Sequence, residues 1–78
     1  MNAFEAIATR QHNAIENFVR TLIELSGCSE AQARDVTHLY LRSKWAKLDS
    51  VGGQISVKHG AYLDTRAINR AIAITEEE

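Results

Sequence analysis

Residues Ser26 to Gln32, SGCSEAQ, constrain this chain more than any other stretch, because they stop one helix and open the next with almost no linker between them. Gly27 is suited to the left-handed conformation that ends a helix, and Ser29 followed three residues later by Gln32 is a reciprocal capping pair. Cys28, just before the cap, stands where a small apolar side chain staples onto Ala33. As one cysteine it has no internal disulfide partner.

Upstream of this boundary, Phe4, Ile7, Ala8, Ile15, Phe18, Leu22 and Leu25 recur at helical spacing. The spacing predicts a first helix from Ala3 to about Leu25, with Asn2 and Glu5 as its N-terminal cap pair and Glu16 set to pair with Arg20. Ala8, Gln11, Ile15, Phe18, Leu22 and Leu25 also alternate three and four apart, as in a coiled-coil seam, which leaves a homodimer open. Val19 and Ile23 widen the stripe and favour packing within the chain.

Downstream, a second helix is expected from Glu30 to about Lys47, with Ala33, Val36, Leu39, Tyr40 and Ala46 toward the first. In that register Arg34, His38, Leu41, Trp45 and Leu48 step along another side as a stripe centred on the single tryptophan. The character then changes. Asp49-Ser50 breaks the helix, Val51-Gly52-Gly53-Gln54 reads as a turn, and Gln54 to Lys58 alternates polar and apolar with the period of a strand. A hairpin is expected, with residues 48–51 folding back on 54–57. Gly60 permits a further turn, Asp64 caps a third helix over Thr65 to Thr75, and Leu63 staples onto Ile68. The expected fold class is therefore mainly α: three helices with a small β-hairpin between the second and third. The expected organisation is one compact domain over residues 1–75 and a frayed acidic tail over 76–78.

A chain of 78 residues makes one domain whose thin core buries about 60% of its unfolded surface. It has no apolar run of the ~18 residues a membrane span needs and no signal peptide, so the expected location is the cytoplasm. Cys28, His12, His38 and His59 have no metal-ligand spacing, no Ser, His and acid form a nucleophilic motif, and the phosphate-loop and dinucleotide glycine patterns are missing. No cofactor, metal or catalytic residue is expected, and the chain reads as a binding protein rather than an enzyme.

Two kinds of partner fit the residues. For a protein partner the contact residues are Arg34, His38, Leu41, Trp45 and Leu48, because aromatic anchors beside arginine are enriched at interfaces. For a nucleic acid the candidates are Arg42, Lys44, Lys47, Lys58, His59, Arg66 and Arg70. Residues 42–75 carry six basic side chains against two acidic ones. Leu22 to Val36 imitates a helix-turn-helix, but its groove-facing positions would include Glu30 and Asp35, which repel phosphates.

Through Lys47-Leu48-Asp49, Gly52-Gly53, Val57-Lys58-His59-Gly60 and Leu63-Asp64, the second half of the chain resembles short proteins encoded by tailed bacteriophages and prophages, a group without an agreed activity. The resemblance implies a small accessory factor, at work in the host cytoplasm, that binds, redirects or inhibits a host protein.

Overall fold

The computed structural model describes residues 3–49, 54–58 and 63–77. Three helices, α1 (Ala3–Ser26), α2 (Glu30–Arg42) and α3 (Thr65–Glu76), enclose the core. Strands β1 (Ala46–Leu48) and β2 (Ile55–Val57) form an antiparallel hairpin between α2 and α3, in the register Ala46↔Val57, Lys47↔Ser56 and Leu48↔Ile55. The fold class read from the sequence is the one observed.

The local signals act as expected. Gly27, at φ +70°, donates to the Ile23 carbonyl at 2.7 Å and closes α1. A Cβ at Gly27 would touch nothing within 4 Å, so its backbone conformation alone calls for glycine. Ser29 Oγ accepts from the Gln32 N–H at 3.1 Å, while Gln32 Oε1 accepts from the Ser29 N–H at 3.0 Å. At the head of α3, Asp64 accepts from the Ala67 N–H at 2.7 Å, and the Thr65 hydroxyl donates to the Leu25 carbonyl at 2.8 Å. That last bond ties the start of α3 to the end of α1. The Asn2 cap, the Val51-Gly52-Gly53 turn, Ser50, His59 and Gly60 lie outside the described residues.

Three boundaries differ from expectation. Helix α2 ends at Arg42 rather than Lys47, and Ala46 and Lys47 belong to β1. The first strand of the hairpin is consequently 46–48 instead of 48–51. Helix α3 continues to Glu76, so the tail is not frayed from that residue: Gln32 Nε2 donates to Glu76 Oε1 at 3.2 Å, and the Glu77 N–H caps the last turn on the Ile74 carbonyl. One glutamine amide thus caps α2 and holds the last turn of α3.

The core joins all the elements. Phe18, Val19 and Leu22 of α1 meet Ala33, Val36, Leu39 and Tyr40 of α2, Ala46 of β1, and Ile68 and Ala71 of α3. Leu22, Val36 and Ile68 are fully enclosed. The buried Thr37 hydroxyl is satisfied by the Ala33 carbonyl at 2.8 Å. Cys28 is half-buried against the same cluster, in keeping with a packing role. The middle of the α1 stripe therefore packs within the chain. Its N-terminal end stands clear, with Phe4 84% exposed and Ala14 the first buried position.

Glu16 does not take Arg20 as its partner. It receives both guanidinium nitrogens of Arg34, at 2.9 and 3.0 Å, and Arg34 also donates to Glu30 at 2.7 Å. The paired Arg34 hydrogen bonds hold the Glu16 carboxyl below its ordinary value of 4.5, against a smaller opposing effect of burial. A lowered carboxylate pKa stabilises the fold above the unfolded value and is lost as the pH falls through the folded one. The melting midpoint of Glu16→Gln is therefore expected to lie below that of the wild type at neutral pH, with the gap starting to close as the pH falls past 4.5 and vanishing only below the lowered folded value. Thermal melts across an acid pH series check this, and a gap that persists in acid refutes it.

Candidate functional site

Where α2 stops, the backbone makes a Schellman closure. The Trp45 N–H donates to the Tyr40 carbonyl at 2.9 Å, the Lys44 N–H donates to the Leu41 carbonyl at 3.2 Å, and Lys44 sits at φ 61°. The apolar contact that accompanies this motif is made by two rings: Trp45 meets Tyr40 edge-on, with centroids 5.5 Å apart and planes at 89°. Tyr40 in turn leans on Phe18 at 6.1 Å, so the tryptophan is the outer end of an aromatic chain that begins in the core. Burial, helped by the Asp64 carboxylate, raises the Tyr40 hydroxyl above its usual pKa of 10.0 and keeps it neutral at physiological pH. Trp45 remains 39% exposed.

The ladder starts at this corner. The Lys58 N–H donates to the Trp45 carbonyl at 2.7 Å and the Asp49 N–H to the Gln54 carbonyl at 2.8 Å, which extends the strand register by one pair at each end. Strand alternation then sets Trp45, Lys47, Ser56 and Lys58 on one side and Ala46, Leu48, Ile55 and Val57 on the other. Between the end of α2 and the hairpin lies an open groove of about 740 Å³. Leu41, Leu48 and Val57 supply its apolar lining with the buried Ala46 behind them, and Lys44 and, from the opposite face of the hairpin, Lys47, Ser56 and Lys58 complete it.

Lysine at φ 61° is strained in a way glycine is not, at a cost of roughly 1–2 kcal/mol for an L side chain in this region. Lys44→Gly is expected to stabilise the fold by about 1 kcal/mol, or about 4–8 °C in melting midpoint for a domain of this size. Differential scanning calorimetry measures it directly. A lower midpoint would mean that packing of the lysine stem outweighs the backbone strain.

The stripe expected from helical spacing does not exist as one surface. Because α2 ends at Arg42, Trp45 lies at the corner and Leu48 on β1, off the helical register that would have joined them to Arg34 and His38. Arg34 is held by Glu16 and Glu30 as a clamp between α1 and α2, and His38 is exposed on α2 without a place in the groove. Leu41 and Leu48 do come together there, beside Trp45. From the basic set, the groove gathers Lys44, Lys47 and Lys58. Arg42 is exposed in the last turn of α2, Arg66 and Arg70 are exposed on α3, and His59 lies outside the described residues.

Ala46, Ser56 and Val57 also line the groove. The alternation across Ile55, Ser56 and Val57 signals Val57, whereas helical spacing puts Ala46 on the inner side of α2 rather than on a strand. Among the described residues no three His, Cys, Asp or Glu side chains converge as a metal set, and no helix is long and apolar enough to cross a membrane. No protein-family model, curated protein or solved structure matches the chain.

Proposed function

We propose that this chain is a small non-catalytic protein-interaction factor whose contact surface is the corner where α2 gives way to the hairpin. The observation that carries this reading is Trp45: 39% exposed, yet set edge-on against Tyr40 at 5.5 Å and bonded through its backbone on both sides. An aromatic ring held in one position before binding loses little entropy on contact, which suits it as an anchor. The adjoining apolar groove extends the surface through Leu41 and Leu48. The resemblance of the second half of the chain to phage-encoded accessory proteins supports a bacterial host protein as the partner, met in the host cytoplasm.

Nucleic acid is the second reading, favoured by the gathering of Lys44, Lys47 and Lys58 on one groove. The rest of the lining is aliphatic, and strand alternation turns Lys47 and Lys58 to the face opposite Leu48 and Val57, which ranks this reading below the first. Affinity capture from a bacterial lysate on the immobilised chain, with and without nuclease, separates them. Under the first reading one protein is retained in stoichiometric amount after nuclease treatment, and solution mass shows whether the captured form is a monomer or a homodimer. Recovery that disappears with nuclease overturns it in favour of nucleic acid.

A further inference from the structure

We infer that the projecting end of α1 is a homodimer surface, covered by the same stretch of a second copy lying antiparallel to it. This surface is separate from the Trp45 corner and goes beyond the interaction reading. It begins with a helix that outruns its own core. Ala14 is the first buried residue of α1, and the apolar side chains of α1 that pack on the core cluster begin at Ile15. Residues 3–13 therefore run on as about three turns of helix, roughly 16 Å, beyond the core. The molecule measures 40 × 25 × 23 Å, and its most exposed large apolar side chain, Phe4 at 84%, stands near the tip of that projection. A helical stretch of this length is marginal in water unless its apolar side is packed.

The projection is complementary to its own image. Phe4, Ala8, Gln11 and Ile15 lie in line along one side, at the spacing of a coiled-coil seam. Two antiparallel copies overlap fully when Phe4 of each faces Ile15 of the other and Ala8 faces Gln11. In that register the tip of each helix ends where the other's core begins, and Phe4 gains a neighbour that the core already holds in place. Ala8 leaves room for the longer Gln11. Twofold symmetry also sets the same flank of both helices side by side, which brings Glu5 of each copy beside His12 of the other, an acceptor facing a donor. Length, apolar register and charge thus select a second copy as the occupant. Two stretches this short bury less than the ~1,200 Å² of a stable interface, so the dimer is weak, half-associated at roughly 10–100 µM.

The test is sedimentation equilibrium of the whole chain from about 5 µM to about 500 µM, a range that brackets this affinity. The mass is expected to rise from 8.7 kDa toward twice that value. Phe4→Asp is expected to weaken association about a hundredfold or more, because both copies of the ring leave the interface, while the helical circular dichroism of the dilute chain is retained. Glu5→Lys is expected to weaken it about threefold or more, and the exchange Glu5→Lys with His12→Glu to restore it, which only the antiparallel register allows. Trp45→Ala should leave the association unchanged. A mass that stays at 8.7 kDa throughout overturns the inference. So does a dimer that survives Phe4→Asp, an exchange that restores nothing, or a dimer lost with Trp45→Ala, which would move the interface to the corner.

Discussion

Replacing Leu22 by alanine is expected to destabilise the fold by about 3–4 kcal/mol. Leu22 is completely enclosed, on the face of α1 that meets both α2 and α3, and truncating it removes apolar contacts while leaving a cavity that three helices cannot all close upon. A domain of this length has on the order of 4–12 kcal/mol in total, so the variant retains little or no margin. Urea unfolding followed by helical circular dichroism measures the difference. Leu25→Ala is the comparison, since Leu25 is 43% exposed near the end of the same helix and its loss is expected to cost under about 1 kcal/mol. Equal effects at the two positions would contradict the packing described for α1.

Replacing Trp45 by alanine is expected to have the opposite profile, with a small effect on stability and a large one on binding. The ring contributes its edge-on contact with Tyr40, worth about 0.5–1.5 kcal/mol, and the helices do not depend on it for their core. Helix content should therefore be unchanged, with a modest drop in midpoint. Partner retention should fall by about thirtyfold or more, the cost of losing an anchor worth ~2 kcal/mol. A collapse of helix content on Trp45→Ala would instead make the tryptophan part of the core and remove it from the proposed surface. Trp45→Phe guards against that ambiguity, because it keeps an aromatic edge for Tyr40 while shrinking the exposed face. It is expected to melt close to the wild type and still bind more weakly.

The two variants divide the molecule along its chain of aromatic rings. Phe18 and Tyr40 are buried and structural, and Trp45, packed on Tyr40, is the point where that rigid core reaches the surface. The site is in that sense a by-product of how α2 is terminated. A glycine at position 44 would close the helix with less strain, and it would remove one of the three lysines from the groove.

Much of this architecture is encoded locally. The end of α1 at Gly27, the reciprocal bonds of Ser29 and Gln32, and the Asp64 cap of α3 each depend on side chains within a few residues of the backbone groups they satisfy. The apolar stripes of α1 and α3 follow from the same helical period, which is why three helices and a hairpin were legible in the letters. The end of α2 was not. Leu41 to Lys47 contains no glycine or proline, and the residue that turns the chain is a lysine, so nothing local announces a stop. What stops the helix is the pairing of Ala46 to Leu48 with Ile55 to Val57, strand partners that the chain meets only on folding. The same distinction governs the charges. Arg34 lies one helical turn from Glu30, a pair that spacing brings together, but its bidentate bond goes to Glu16, eighteen positions away on another helix. Sequence alone determined that the chain forms three helices and where two of them begin, because capping and periodicity act over a single turn. Tertiary structure decided where α2 ends, which lysines share a groove with Leu41 and Leu48, and that Arg34 is a clamp rather than a contact, because those outcomes depend on partners the chain meets only once it has folded.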